Sequence, residues 1–260
     1  MTGLDPAVDE LVEVAVVITG YDLNPVDDGF QVVIKPSPAA FEQMGDFVRE
    51  MHASSGLLEE LDSGLSLEDA GTQILDYITR FVPEAQSAPL AGNTIGTDRM
   101  FLQKYLPEVH AHLHYRNIDV STIKELSKQW FPKAYYQSPD KNGGHRALAD
   151  ILESIRELAY YRQAVFVDQP GPQTKELKAL SDSIHEAWAP HLVQCGAYMS
   201  PSRPSAHSRR IWSSCSSQTL VSASSSDSRR RTPQPSTIKG RSAGMDTQSP
   251  GRASAHDHGR

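Results

Sequence analysis

Two strand-like runs come before any strong helical signal, and strand–helix alternation comes after them. That order constrains the fold more than any other feature of the chain. Leu11-Val12-Glu13-Val14-Ala15-Val16-Val17-Ile18-Thr19 is apolar and β-branched, the pattern of a buried strand. Asp22-Leu23-Asn24-Pro25 turns the chain, and Gly29-Phe30-Gln31-Val32-Val33-Ile34 returns it as an antiparallel hairpin. Residues 38–52 suggest a helix carrying Phe41, Met44, Phe47, Val48 and Met51. Ser66-Leu67-Glu68-Asp69 has the form of a capping box, with Leu67, Ala70, Ile74, Ile78 and Phe81 following at helical spacing. Ala88-Pro89-Leu90-Ala91-Gly92 is a short strand, and residues 98–109 have a helical pattern. Residues 115–120 form a further strand, with Ser121 as N-cap of a helix over 122–130. The clearest helix covers 145–162, with Leu148, Leu152, Ile155 and Leu158 on one stripe. Another covers 174–188, with Leu177, Leu180, Ile184 and Trp188 on one face. The expected class is α/β, a mixed sheet flanked by helices.

From about residue 200 this patterning stops. Residues 200–260 hold 17 Ser in 61 positions, with scattered Arg and Pro, so a disordered tail is predicted. The tail carries nine Arg and one Lys against three Asp, +7, which leaves −14 of the net −7 on residues 1–199. A body this acidic is a poor receptor for long nucleic acid, which is held through many phosphate contacts. A very short oligonucleotide needs only a few directed ones. No stretch approaches the roughly 20 apolar residues of a membrane span, and Met1-Thr2-Gly3-Leu4-Asp5-Pro6 has no signal-peptide character. Cys195 and Cys215 form neither a metal spacing nor a disulfide framework, which points to the cytoplasm.

His145 lies five residues before Asp150 at the start of the 145–162 helix, and Asp98 starts its own helix after Asn93-Thr94-Ile95-Gly96-Thr97. A His beside carboxylates from separate segments suits metal-assisted phosphodiester hydrolysis. Each residue alone also has a plain structural role: Asp98 as an N-cap, His145 as a solvated first-turn residue.

The order of four separate words adds to this. Met1-Thr2-Gly3-Leu4-Asp5 comes first, followed by Pro89-Leu90-Ala91-Gly92-Asn93 with Asp98. His114-Tyr115-Arg116-Asn117-Ile118-Asp119-Val120-Ser121 and His145-Arg146-Ala147-Leu148-Ala149-Asp150-Ile151 follow. In this order they resemble the oligoribonuclease family of the His-type DEDD exonuclease superfamily, and Gln169-Pro170-Gly171-Pro172 resembles its actinobacterial branch. The resemblance implies a ribonuclease-H-like sheet, a homodimer and two Mg²⁺ or Mn²⁺ ions. It implies removal of nucleotides from the 3′ end of very short RNA, down to mononucleotides. Asp98 and Asp150 would serve the metals, and His145 would be the general base, a task suited to a side-chain type that titrates near neutral pH. Substrate would meet Leu4 as a wedge between bases, Phe47 as a stacking platform, and His52 and Thr94. Tyr115, Arg116 and Ser121 match positions around the terminal phosphate and the dimer partner. Without the resemblance, Phe47 as a core aromatic is an equally good reading, and Ser121 as a helix N-cap and Arg116 in a surface ion pair are the structural alternatives. The expected division is an exonuclease domain over 1–170, a helical extension over 171–199 and the tail over 200–260.

The family pattern has a strand ending in Asp-x-Glu directly before the Met-Thr-Gly-Leu-Asp word. Here Met1 is that Met, so the expected sheet has its first strand missing and the site lacks two carboxylates. Glu13 is the least implausible substitute. The two explanations are a start placed at an internal Met and a true truncation. A strand ending in Asp-x-Glu in the upstream in-frame codons would identify the first. Either way, weak metal binding and little turnover are expected for residues 1–260. The alternatives are a DNA proofreading-type 3′–5′ exonuclease and a non-catalytic nucleotide-binding protein.

Overall fold

The computed structural model describes residues 1–141, 144–194 and 219–222. They fall within one compact unit, Met1–Asp227. The first hairpin forms as its sequence predicts: β1 (Glu13–Gly20) pairs antiparallel with β2 (Phe30–Val33), in register Glu13↔Val33 to Val16↔Phe30. Side chains alternate across a strand, and β1 shows what each face meets. Val14, Val16 and Ile18 join the main core with Ala70, Ile74 and Ile78 of α4 (Leu67–Phe81) and Phe101 of α5 (Ile95–Tyr105). Ala15 and Val17 point the other way, onto Ala147 and Ile151 of α9 (Ala147–Ala164). Each fully buried aliphatic side chain in this sandwich contributes about 1.5–3 kcal/mol. The α/β class and the helix-flanked mixed sheet expected from the sequence are therefore observed.

The sheet continues through β3 (Pro89–Gly92) and β4 (His114–Asp119), which pair parallel. The strand order is β2-β1-β5-β3-β4, with β5 formed by Thr219–Ser222. Residues 219–222 of the tail predicted to be disordered therefore form a strand between β1 and β3. The remainder of the predicted tail, 200–218 and 223–260, lies outside the described residues.

Several expected boundaries shift for local reasons. The single helix over 38–52 is two, α1 (Pro38–Glu42) and α2 (Asp46–Ser54), because Gly45 is extended and serves as the N-cap of the second. The α3 helix (Leu57–Glu60) follows directly. The helix over 98–109 is split into α5 and α6 (Pro107–His112), since Pro107 cannot donate to the preceding turn. Ser121 is not the N-cap of α7 (Val120–Trp130): Asp119 takes that place and accepts from the Ser121 N–H. A short α8 (Pro132–Tyr136) follows. The 145–162 helix begins at Ala147, and its buried stripe is Ala147, Ile151, Ser154, Glu157 and Tyr161, while Leu152 of the expected stripe is exposed. The last helix, α10 (Thr174–Gln194), forms, but Leu177, Leu180, Ile184 and Trp188 are all exposed.

Ser66 caps α4: its hydroxyl accepts from the Asp69 N–H at 3.1 Å and donates to the Asp69 carboxylate at 2.6 Å, in place of the reciprocal bond to the Ser66 N–H that a capping box makes. Ser66→Ala is expected to cost about 1 kcal/mol. A chemical-denaturation midpoint unchanged by the substitution would contradict that role.

Candidate active site

The N-terminal end of α9 meets the start of β1, and parity along β1 explains why. Glu13 shares the α9-facing side with Ala15 and Val17, so its carboxylate is carried against the helix start. One oxygen accepts from Arg146 Nε and the other from the Ala147 N–H, both at 2.8 Å. Arg146 extends the bridge, with its two terminal nitrogens on the two Glu60 oxygens at 2.8 and 2.9 Å. The paired hydrogen bonds from Arg146 hold the Glu60 carboxyl below the usual carboxylate range. Glu13 is thus tied into an Arg-centred ion network and a helix terminus. Each of its oxygens already accepts a hydrogen bond, which gives Glu13 a structural role at the start of α9.

Asp150 stands in the first turn of α9. Burial pushes its carboxyl up to about 6; Glu153 and Glu13 push the same way, while His145 and Lys141 oppose. A displaced acid beside an imidazole and a second carboxylate is characteristic of sites that handle charge. His145 precedes the helix by two residues and adopts a positive φ of 50°, which places it outside the helix rather than at its first turn. Non-glycine residues in that region are uncommon and gather at functional sites. His145 also acts on His52.

His52 is buried, and its Nε2 lies 2.9 Å from the Met1 carbonyl oxygen, so Nε2 carries the proton and donates. Its Nδ1 is buried without a partner. Burial pulls the His52 pKa down from its ordinary value. A depressed imidazole contributes stability that is present above the unfolded value near 6.5 and is lost as pH falls from there through the lower folded-state value. The urea midpoint should therefore drop between about pH 7 and 5, and His52→Gln should flatten that part of the profile. An identical slope in the variant would remove His52 as the cause.

Asp98 is buried in α5, four residues past the N-cap Thr94, so it is not itself the cap. The Met1 amino group is pushed down to about 6 by burial, while Glu13, Asp98 and Asp9 pull it back up. Asp98 and Glu13 therefore both act at Met1, and His145 and Glu13 both act on Asp150. Among the described residues, however, no three His, Cys, Asp or Glu side chains gather closely enough to hold a metal ion. The donor set does not fit a complete two-ion centre.

The substrate residues expected from sequence fall into separate places. Thr94 and Ser121 are brought together. The Thr94 N–H donates to Asp119 at 3.0 Å and to the Ser121 hydroxyl at 2.9 Å, which holds Thr94 at φ 55°. Tyr115 is 74% exposed on β4, with the Arg116 guanidinium 5.4 Å from its ring centre. Leu4 and Phe47 are half exposed, so Phe47 is not a core aromatic. A separate cleft at the far end of α9 is lined by Asp22, Leu23, Arg162 and Phe166 and contains none of these residues.

Sequence reading missed a second network. Buried Glu157 accepts from Lys124 at 2.9 Å and pairs with Lys141 at 3.0 Å, while Asn93 donates to it at 3.2 Å and to Ser154 at 2.8 Å. Burial alone would raise the Glu157 carboxyl; its hydrogen bonds with Lys124 and Lys141 outweigh that and hold it low. The signal was available: Asp150, Ser154, Glu157 and Tyr161 recur at helical spacing, a polar stripe on an otherwise apolar face.

Residues 1–158 match the Exonuclease family. An oligoribonuclease of Leifsonia xyli subsp. xyli is 63% identical over 188 residues, covering 72% of this chain and 91% of that protein. The chain belongs to the oligoribonuclease family. Further members include those of Cutibacterium acnes, 56% identical over 174 residues (67% of this chain, 86% of that protein), and Streptomyces coelicolor, 50% identical over 196 residues (75% and 94%). As a family member the chain is classed as a hydrolytic 3′–5′ exoribonuclease. No described helix is long and apolar enough to cross a membrane.

Proposed function

We propose that this oligoribonuclease-family chain removes nucleotides from the 3′ end of very short RNA, dinucleotides above all, in the cytoplasm and as a homodimer. The observation that carries the reading is the charge-coupled group at the start of α9, where Asp150 is raised to about 6 next to His145 and Glu13. His145 takes the proton of the attacking water. Asp150 and Asp98 supply negative charge for divalent ions, Mg²⁺ or Mn²⁺. The described donor set gathers too few ligands for two ions, so residues 1–260 bind these ions weakly and turn over slowly. Thr94, Ser121, Tyr115 and Arg116 hold the substrate's phosphates, and Leu4, Phe47 and His52 meet the bases. Arg suits a terminal phosphate because its fork can engage two oxygens at once. Residues 1–170 form the catalytic domain and 171–199 an extension.

A 5′-labelled RNA pentamer tests this. It should shorten one nucleotide at a time from the 3′ end, slowly, in Mg²⁺ or Mn²⁺. Internal cuts or 5′-end release would contradict the reading. A non-catalytic nucleotide-binding role has one observation in its favour, the incomplete ligand set; it predicts dinucleotide binding unaffected by chelator and no product.

A further inference from the structure

A chain of hydrogen bonds runs from the buried Glu157 to the Thr94 and Ser121 pair, and each link has a fixed direction. Glu157 is 2% exposed on α9, and its oxygens meet Lys124 at 2.9 Å and Lys141 at 3.0 Å. The two ammonium groups keep its carboxyl ionised, so it only accepts hydrogen bonds. The atom of Asn93 that lies 3.2 Å from Glu157 Oε2 must therefore be the amide nitrogen and not the oxygen. The same nitrogen donates to Ser154 Oγ at 2.8 Å, and Ser154 donates to the Asp150 carbonyl at 2.8 Å. The Asn93 oxygen is thereby turned towards α7, where it accepts the Ser121 hydroxyl proton at 3.1 Å. With its proton placed there, the Ser121 oxygen accepts from the Thr94 N–H at 2.9 Å. In the 3.2 Å contact between the two hydroxyls, Thr94 is then the donor. Asn93 thus stands where β3 ends, receives from α7 and donates to α9. Only a side-chain amide offers two donors and an acceptor on one small planar group.

We propose that Glu157 and Asn93 are positioning residues for the substrate's phosphate. Glu157 fixes which way the Asn93 amide faces, and Asn93 fixes the Ser121 hydroxyl and, through it, Thr94 at its φ of 55°. The inference rests on the reading that Thr94 and Ser121 meet a phosphate of the substrate. Glu157 and Asn93 act on that phosphate only through the two hydroxyl residues. Their contribution is preorganisation: groups already held in place lose less freedom when the ligand arrives, and the affinity rises accordingly. A fully satisfied buried polar network is rigid enough for this task. The network also joins the phosphate end of the site to α9, because Ser154 lies one turn beyond Asp150 and bonds to its carbonyl.

Equilibrium binding of an RNA dinucleotide with and without a 5′-phosphate tests this on the full chain, in chelator so that nothing is cleaved. In the parent the phosphate should tighten binding about 10-fold or more, the size expected of hydrogen bonds to a charged group. Asn93→Asp keeps an acceptor for Ser121 but sets a second carboxylate against Glu157, and it should cut that preference to about 2-fold or less. Adding Glu157→Gln gives the pair one donor and one acceptor again, with the polarity reversed, and should restore most of the preference. Both substitutions keep the size and shape of the side chain, so a packing role alone predicts neither the loss nor the rescue. Affinity for the unphosphorylated dinucleotide should change little throughout. Ser121→Ala separates the two levels of the argument. Loss of the preference in Ser121→Ala but not in Asn93→Asp would overturn the positioning role and leave the phosphate reading standing. No preference in the parent, or one untouched by Ser121→Ala, would remove the phosphate reading and this inference with it. A double variant no better than Asn93→Asp would also overturn the proposal. Should Asn93→Asp fail to fold, Asn93→Ala, which brings in no charge, takes its place, and an undiminished preference there would be equally decisive against it.

Discussion

Replacing His145 with alanine should lower the single-turnover rate on a 5′-phosphorylated RNA dinucleotide by about 10²–10⁴-fold, the range spanned by general acid–base catalysis. Enzyme in excess makes this measurable even where multiple turnover is slow. Dinucleotide affinity should change little, because a base that moves a proton in the transition state contributes to kcat rather than to ground-state binding. His145 lies outside α9 at φ 50°, so its loss leaves the helix hydrogen bonds in place and should spare the melting temperature. A rate within tenfold of the parent would leave the proton transfer to another group.

The second large effect is structural. Arg146→Ala should destabilise the fold by about 3 kcal/mol, at the lower end for breaking a buried ion pair because the guanidinium retains some solvent contact. The reason is asymmetric: Glu13 stays buried and charged, with only the Ala147 N–H left to hold it. For a chain of this size that corresponds to a fall in Tm of roughly 6–12 °C. Glu13→Gln keeps an acceptor for Ala147 without the charge, so Arg146→Ala in that background should cost only about 1 kcal/mol. A double-mutant cycle showing no coupling would mean that the bridge stabilises nothing.

Local signals carried much of the fold and long-range pairing carried the rest. The β1–β2 hairpin and the α4 cap were legible because their causes lie within a few residues: β-branched runs around a turn, and Ser66 three positions before Asp69. Pro107 and Gly45 were equally local signals, and reading helices through them merged elements that the backbone separates. On α9, Leu148, Ile155 and Leu158 of the expected stripe do pack against the core, but Leu152 is exposed and the polar Ser154 and Glu157 are buried instead, through partners Asn93, Lys124 and Lys141 from elsewhere in the chain. The β5 strand was not legible. Four residues in a Ser-rich region form a strand through pairing with β1 and β3, about 200 and 130 positions earlier in the sequence. At the site, the words around Asp98, His145 and Asp150 identified the family. The sequence did not reveal that Glu13 would be held by Arg146 and Ala147, although its parity with Ala15 and Val17 places it on the α9 face.

The most direct measurement of the central claim compares cleavage rates by residues 1–260 on a 5′-phosphorylated RNA dinucleotide and on a long single strand of RNA or DNA, under the same Mg²⁺ or Mn²⁺. The account predicts slow cleavage that favours the dinucleotide and is lost in Asp150→Asn. Faster degradation of the long strand, or a dinucleotide rate indifferent to Asp150→Asn, would contradict it.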